Sequence, residues 1–518
     1  MESLLQKYVI PKTKAGQPEV SALFAGGLWI GGRDKVGNIK LAASTYRNNG
    51  TDFWSGPLDP IDGITDLVNC NNWDRHFTVF GSNIKAHINN YDSSIKNGTS
   101  YLEKDVPDDV KAWPSKGNPF FEKMNGFKLP VNGGGLAPFF DLDGDDTYNP
   151  LNGDYPILSG LRNNNYYADQ MVFWIINDNG NVHTLSKGSE ALQIEIQNMA
   201  YAFLINDYVI NNTTLYSSKM IYKGTTLTRD AYLGIWTDPD LGCGSDDMIG
   251  CDTTRSLMYV YNGDAVDGSS GCNCGTTPTY CNEIPMVGID ILNGGKVFQF
   301  DSIGNPIDTV DGKMTSFTYF AKSIEPQFSD PTTSQDYYNY LSGRWKDGTK
   351  YTYGGLGFNP SSTSFVNYVF TDEPCNPSGW SMASLGFPGQ DFRTIQTTGP
   401  FSILPGQTNE ISYAVVFAPK VNHPKPCLNA LRDADDRVQI FFDELFGKYH
   451  CDICPGPDAP DLITLPKNQS ITFSFFNNEY SNNQNLDHLV YCKYAPKEAI
   501  DPYYRFEGYR VFQLKENV

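Results

Sequence analysis

Short runs of apolar residues recur along the chain and are separated by turn-forming residues. Residues 170–176 (Gln-Met-Val-Phe-Trp-Ile-Ile) form an apolar run that stops at Asn-Asp-Asn-Gly, which predicts a buried strand followed by a turn. Leu192, Ile194 and Ile196 alternate with polar residues, which predicts a half-buried strand. Related patterns predict short strands over 21–60 and strands over 199–210 and 409–418.

The clearest helical pattern lies near residues 427–446. Its apolar residues recur every three or four positions and share one face of a helix, whereas the charged residues fall largely elsewhere. Gly447, directly after the pattern, is a typical helix end. The apolar face consists of Leu428, Leu431, Ala434, Val438, Phe441, Phe442 and Leu445.

The composition supports a mainly-β fold. The chain has 518 residues, including 48 Gly and 32 Pro, and helical patterns are scarce, so many short strands joined by turns are expected. We therefore predict a large multi-strand β-sandwich-like region with long loops over residues 1–450, carrying the amphipathic helix near 427–446. A division of this region into two subdomains near residue 325 is left open.

A second module is predicted after a linker. Proline and glycine are concentrated after Cys454, just before a new alternating pattern at Ile471, Phe473 and Phe475. We predict a linker at 451–456 and a partial Ig/fibronectin-like β-sandwich module at 457–518. Such modules usually run to about 100 residues, so this one is expected to be incomplete.

The charge of the chain excludes some classes of partner. With 39 basic and 59 acidic residues, the formal charge is −20. Nucleic acids and anionic membrane surfaces attract basic patches, so neither is expected as a partner. No apolar run reaches about 18 residues, so we expect no membrane insertion.

Eleven cysteines occur, most of them clustered in polar, glycine-rich stretches. This pattern favours disulfides formed in an oxidising compartment, and we predict an extracellular or outer-cell-surface protein. The odd number leaves one thiol over, and Cys70 is a candidate for it. The chain begins without the basic start and apolar block of a signal peptide. We therefore expect it to be a piece of a longer precursor.

The acidic loop 141–154 (Asp-Leu-Asp-Gly-Asp-Asp-Thr-Tyr-Asn-Pro-Leu-Asn-Gly-Asp) is a candidate calcium site. Carboxylates at alternate positions match the first ligands of an EF-hand loop, and crowded carboxylates repel one another unless a cation lies between them. Gly144 precedes the third aspartate instead of following it, and no glutamate closes the loop, which indicates weak binding of the extracellular kind. A solvated acidic turn is the alternative. The predicted ligands are Asp141, Asp143, Asp145, Thr147 through its carbonyl, Asn149, Asn152 and Asp154.

A second, weaker candidate cation site surrounds Cys243 and Cys251. A disulfide between these two cysteines would tie the loop and gather its carboxylates, and the alternative is a stapled polar loop without an ion. The candidate ligands are Asp238, Asp240, Asp246, Asp247 and Asp252.

The same stretch carries an enzyme hypothesis. Asp238 and Asp240 could act as the paired carboxylates of a glycoside hydrolase, which lie roughly 5–10 Å apart. Nearby aromatic side chains, expected to be exposed, would stack on sugars: Trp236, Tyr259 and Tyr261.

Other chemistry is weakly indicated. The sequence contains no HExxH or GxSxG pattern and no phosphate-binding glycine loop with a lysine. The His450-Cys451-Asp-Ile-Cys454 segment offers half of a zinc site, and a disulfide to Cys427 or Cys492 is favoured instead. The sequence thus leaves enzymatic activity open and favours a protein without it.

Several motifs together carry a resemblance. They are Leu28-Trp29-Ile30-Gly31-Gly32, Thr45-Tyr46-Arg47, residues 52–59 (Asp-Phe-Trp-Ser-Gly-Pro-Leu-Asp), the loop 141–154 with Tyr155-Pro156, the acidic stretch 238–252 and Phe506-Glu507-Gly508-Tyr509. As a series they resemble the amino-terminal region of large secreted or cell-surface proteins of Bacteroidetes-type bacteria, exported by the type IX secretion system. The resemblance covers most of the chain and implies location and architecture rather than a reaction.

Three functions remain open from the sequence. The first is a secreted or cell-surface structural or adhesion protein, stabilised by calcium and disulfides and carried as cargo by type IX secretion. Its partners would be the secretion machinery or other outer-membrane and cell-surface proteins. The second is a secreted glycan-binding protein or glycoside hydrolase. The third is a subunit of a surface filament or secretion-associated assembly.

Overall fold

A computed structural model describes most of the chain and divides it into two compact units. The first comprises residues 1–159 and 163–439, and the second comprises 160–162 and 440–518. The predicted linker 451–456 lies outside the described residues. These are 8–10, 19–46, 49–130, 136–158, 166–205, 207–268, 272–275, 277–300, 306–321, 325–446, 460–467, 470–477, 481, 483–491, 503–506 and 508.

The described residues are mainly β, which confirms the predicted fold class. The strands are β1 (Tyr8–Val9), β2 (Ser21–Arg33), β3 (Ile39–Ala42), β4 (Trp54–Ser55), β5 (Phe77–Phe80), β6 (Phe139–Phe140), β7 (Tyr155–Pro156), β8 (Gln170–Asn177), β9 (Ile194–Ala202), β10 (Thr214–Tyr222), β11 (Thr228–Pro239), β12 (Asp247–Asp252), β13 (Leu257–Asn262), β14 (Met286–Phe300), β15 (Pro306–Gly312), β16 (Met314–Ala321), β17 (Tyr351–Thr352), β18 (Phe365–Val366), β19 (Phe392–Ile403), β20 (Thr408–Ala418), β21 (Asp461–Lys467), β22 (Ser470–Phe476), β23 (Leu489–Tyr491) and β24 (Tyr503–Arg505).

Helices fill some of the connections between these strands. They are α1 (Leu67–Trp73), α2 (Gly81–Asn97), α3 (Asp108–Lys111), α4 (Phe121–Asn125), α5 (Tyr208–Asn211), α6 (Ser334–Leu341), α7 (Met382–Leu385) and α8 (Asn429–Leu445), with 3-10 turns at Glu103–Asp105, Pro150–Asn152 and Pro326–Phe328.

Two large antiparallel sheets form the first unit. The smaller has the order β1-β2-β11-β19-β16, with β3 paired to β2. The larger has the order β12-β13-β14-β20-β10-β9-β8-β4, with β15 paired to β14 and β5 to β8. Strands distant in sequence, such as β2, β11 and β19, are direct neighbours, so long-range pairing defines the architecture.

The two sheets are joined by a buried amide. Gln396 on β19 donates from Nε2 to the carbonyls of Ile289 on β14 and of Ser256, at 3.2 Å each. Helix α6 covers the smaller sheet, where Tyr337 packs edge-on against Trp29 at a centroid distance of 4.8 Å. The unit is therefore layered, with a helix on one sheet and that sheet bonded to the other.

Strand β8 lies where its apolar run predicts a strand, but it is buried on one face only. Its alternate residues, including Met171 and Phe173, are buried, while Trp174 and Ile176 on the other face stay partly exposed. Strand β9 departs from its pattern, since Glu195 and Gln197 are buried as well as the apolar residues. The first six residues of this strand, predicted to be half-buried, are thus buried on both faces.

The predicted amphipathic helix is confirmed as α8. Leu431, Val438 and Phe442, from the predicted apolar face, are almost completely buried. The same helix also buries the carboxyl of Asp435, which the apolar pattern did not indicate.

The second unit contains two short hairpins among its described residues. Strands β21 and β22 pair in one, and β23 and β24 in the other. Ile471, Phe473 and Phe475 lie on β22, as their alternation predicts, and all three are exposed. The completion of an Ig/fibronectin-like module stays a prediction.

Within the described residues, three disulfides join Cys243 to Cys272, Cys274 to Cys281 and Cys375 to Cys427. The expected bridge between Cys243 and Cys251 is wrong, because Cys251 lies inside β12 as a buried thiol that faces the carbonyl of Val369 at 3.5 Å. Cys70 is also an unpaired, buried thiol. Cys427 bonds to Cys375, which removes it as a partner for Cys451 or Cys454; those two, like Cys492, lie outside the described residues.

Candidate metal centre

The acidic loop 141–154 is closed at its base by a small ladder. Strands β6 and β7 pair on either side of it, with Phe140 opposite Tyr155 and their rings stacked at 4.9 Å. His87 on α2 supports the same base through a 3.0 Å contact between Nε2 and the carbonyl of Asp154. The loop is therefore held at both ends.

Three of the predicted ligands converge. Asp141, Asp143 and Asp145 each place one carboxylate oxygen within 4.8 Å of the others. Calcium binds oxygens at 2.3–2.6 Å, so two ligands of one ion lie at most about 5 Å apart. The spacing of these three oxygens fits a single calcium ion.

Backbone hydrogen bonds pre-form the turn around this triad. Asp141 accepts hydrogen bonds from the amides of Gly144 at 2.8 Å and Asp146 at 2.7 Å. Gly144 has φ of 75°, which glycine adopts without steric cost. The glycine that departs from the EF-hand pattern therefore makes the turn that brings the third aspartate back.

The other predicted ligands take different positions. Asn152 donates to Asp143 at 2.7 Å and lies beside the triad. Thr147 donates its amide to Asp145 at 2.7 Å, and Asn149 caps the 3-10 turn at Pro150–Asn152 through the amide of Leu151.

Asp154 serves the base of the loop. Its carboxylate is buried and accepts the amides of Leu142 at 2.9 Å and Asn149 at 2.8 Å, so both oxygens already have protein partners. Burial raises the pKa of Asp154 to about 6. Through these hydrogen bonds Asp154 links the two ends of the loop, and it is not one of the three converging aspartates.

The second acidic stretch does not form one site. Asp252 is bound by Arg432 at 2.7 Å and by Arg255 at 3.4 Å. Although burial opposes its ionisation, hydrogen bonds from Thr254 and Arg432 hold the pKa of Asp252 below its usual value. Asp252 thus anchors α8 to β12, and its carboxylate is committed to two arginines.

Asp238 and Asp240 meet a residue that the sequence analysis missed. One oxygen from each lies within 4.8 Å of a carboxylate oxygen of Asp391. Arg393 already supplies a positive charge there, 3.5 Å from Asp238, and Tyr46 donates to Asp238 at 2.5 Å. Asp391 is about 150 positions away in sequence, so no local pattern could have found it.

Asp246 and Asp247 lie at the start of β12 and are both buried. Burial, together with the nearby Asp267 carboxylate, raises the pKa of Asp246 to about 7. Asp267 itself accepts the amides of Cys243, at 2.9 Å, and of Tyr280. It thereby fastens the segment that the Cys243–Cys272 disulfide also ties.

The aromatic side chains expected to line a sugar site near Asp238 are not exposed. Trp236, Tyr259 and Tyr261 are each at most 1 % exposed. They lie on strands inside the two sheets, where they are part of the core. The prediction of a sugar platform at this place is therefore wrong.

A buried carboxyl pair predicts a pH dependence of stability. Asp435 on α8 hydrogen-bonds to Asp290 on β14, and burial raises the pKa of Asp435 from 3.8 to about 7, with Asp436 adding to the effect. The folded state therefore holds a proton that the unfolded chain has lost, so this contribution to stability is full below about pH 4 and is lost as the pH rises to about 7.

The expected slope is up to about 1.4 kcal/mol per pH unit between those limits. Asp435→Asn keeps a hydrogen-bond donor toward Asp290 and removes the titration. Its unfolding free energy relative to the wild-type value should therefore rise between about pH 4 and pH 7 and level off above that. Urea unfolding at several pH values measures this. Parallel profiles for the two proteins would contradict it.

Comparisons with known proteins do not assign the chain to a family. No protein-family model matches the chain, and no curated protein matches it at a significant level. Within the described residues, none of the helices is both long and apolar enough to span a bilayer. The three disulfides fit an oxidising, extracellular environment.

Proposed function

We propose that this chain is part of a secreted or cell-surface protein with a structural or adhesive function, braced by calcium and disulfides. The observation that carries the proposal is the convergence of Asp141, Asp143 and Asp145 within 4.8 Å in a pre-formed loop. The disulfides support the location, and the motif series supports export as type IX cargo. Its partners are then the secretion machinery and other outer-membrane or surface proteins.

Calcium acts in this proposal as a brace. The loop lies between paired strands and packs through Tyr148, whose hydroxyl donates to the carbonyl of Val110 at 2.8 Å. An ion at the triad would neutralise three neighbouring carboxylates and hold the exposed end of the loop in one conformation. Extracellular calcium is abundant enough that a weak site suffices.

Calcium is expected to raise the unfolding temperature of the chelator-treated protein. A ligand that binds only the folded state at 100 times its dissociation constant stabilises that state by about 2.7 kcal/mol. Asp143→Asn should abolish the response, because Asp143 is exposed and its only described side-chain hydrogen bond, from Asn152, can be replaced. Thermal unfolding with calcium or chelator, and titration calorimetry, measure the effect.

Asp146→Asn is the matched control. Asp146 is an exposed acid of the same loop that pairs with Lys116 at 2.5 Å and is not one of the three converging residues. Asparagine also tolerates its positive φ of 59°. This variant should keep the calcium response. An unfolding temperature independent of calcium, or a wild-type response in Asp143→Asn, would sink the proposal.

A further inference from the structure

A cleft of about 610 Å³ opens between the two sheets of the first unit. Its floor is formed by residues of β8, β9 and β20, and its walls by β2, by residues 43–45 and 50–55, and by α1. This volume lies within the range of roughly 300–1,000 Å³ that is typical of small-molecule sites. No motif in the sequence analysis marked these segments as one place.

Aromatic side chains give the cleft its apolar surface. Trp54 on β4 and Trp174 on β8 line it and remain partly exposed, as do Phe53 and Tyr413. Tyr413 is held flat against Tyr216, with ring centroids 4.8 Å apart and planes 7° apart. Trp54 pairs with Asn177 and so lies on the other face of β8 from Trp174, whereas Trp174 and Tyr413 share the face that floors the cleft. Partly exposed rings on one face of a sheet suit flat ligands that have an apolar face.

The polar groups of the cleft are neutral or acidic. Asn71 and Asp74 on and after α1 are exposed, and Asp74 accepts the hydroxyl of Ser55 at 3.1 Å. Among the described lining residues there is no lysine, arginine or histidine. His76, exposed and packed edge-on against Trp174 at a centroid distance of 5.4 Å, lies beside the lining. The lining residues themselves offer a phosphate, sulfate or carboxylate no charge partner, so they favour neutral ligands.

The cleft is not equipped for hydrolysis by paired acids. Its described lining contains two carboxylates, Asp52 and Asp74. Asp52 is buried and accepts the amides of Ala43, Leu185 and Ser186. It is therefore committed to the backbone, and a glycosidase needs two carboxyl groups that both face the substrate.

We propose that this cleft binds a neutral oligosaccharide, with sugar rings packed on Trp174 and Tyr413 and hydroxyls bonded to Asn71 and Asp74. The carbon-bound hydrogens on one face of a sugar ring are apolar, and its rim offers hydroxyl donors and acceptors, which matches rings flanked by amide and carboxylate groups. This proposal rests on the proposed adhesive function and adds to it the class of ligand.

The test is titration calorimetry with neutral hexasaccharides of glucose, N-acetylglucosamine, mannose and xylose, and with hexagalacturonate as an acidic probe. At least one neutral probe should bind, and hexagalacturonate should not. Trp174→Ala and Tyr413→Ala should each weaken binding by about tenfold or more. Tyr208→Ala, at an exposed aromatic outside the cleft lining, should leave binding unchanged.

Tyr413 stacks against Tyr216, so its removal can disturb folding. Asn71→Ala, at an exposed helical position, therefore serves as a second variant and should weaken binding with unchanged thermal unfolding. Measuring sugar binding both with calcium and with chelator tests the cleft independently of the calcium site, because the cleft should bind in either condition. Failure of all four neutral probes, preference for hexagalacturonate, or wild-type binding by both Trp174→Ala and Asn71→Ala would overturn it.

Discussion

Replacing Cys375 and Cys427 together with alanine is expected to lower the unfolding free energy by about 4 kcal/mol. The disulfide closes a segment of 52 positions, and the chain entropy that such a crosslink removes from the unfolded state grows with the length of that segment. It also fastens the start of α8, where Arg432 pairs with Glu373 close to Cys375. Denaturant unfolding under non-reducing conditions measures the loss.

The Cys274–Cys281 disulfide is an internal comparison. It closes only 7 positions, so its removal is expected to cost about 2.5 kcal/mol on the same entropic basis. The ratio of the two losses in unfolding free energy tests the dependence on loop length even if the absolute values differ from those expected. Equal losses, or a larger loss at Cys274–Cys281, would show that loop entropy does not govern these bridges.

Asp52→Ala is expected to destabilise the protein by about 4 kcal/mol, because each buried amide left without a partner costs about 1–3 kcal/mol. The Asp52 carboxylate binds the amide of Ala43 at 3.2 Å and those of Leu185 and Ser186 at 3.0 and 3.1 Å. It therefore joins two segments more than 130 positions apart in the sequence. Thermal and urea unfolding measure the change.

Asp74→Ala is the matched control for this substitution. Asp74 lines the same cleft but is exposed, and its described hydrogen bond comes from the Ser55 hydroxyl alone. Its removal should change stability by less than about 1 kcal/mol. If Asp52→Ala were no more destabilising than Asp74→Ala, the three amides would have to find other partners, and the role given to Asp52 would be refuted.

The acidic loop shows which parts of a site can be predicted from residues close together in the sequence. Aspartates two residues apart in a turn stay close whatever the rest of the chain does, so the convergence of Asp141, Asp143 and Asp145 was accessible from sequence. The position of Asp154 was not, because its two amide partners close the base of the loop only when β6 and β7 pair. Calcium at this triad stays a prediction.

The second acidic stretch shows the opposite case. Its five aspartates are near in sequence, yet they have different partners. Asp252 pairs with one arginine on α8 and with another in the turn before β13. Asp238 instead lies beside Arg393 on β19 and Asp391 just before that strand. Strand direction separates neighbours, and sheet order joins distant residues. Spacing along the chain therefore predicts little about which carboxylates share a site.

The sequence by itself determined the class of fold, the amphipathic helix α8 and the converging acidic triad, since all three depend on periodicity or spacing over a few residues. Tertiary structure alone decided which cysteines bond, that Glu195 and Trp236 are buried, and that Trp174 and Tyr413 line one cleft. These outcomes depend on which strands become neighbours. That choice is made by packing between segments hundreds of residues apart, and local pattern does not encode it.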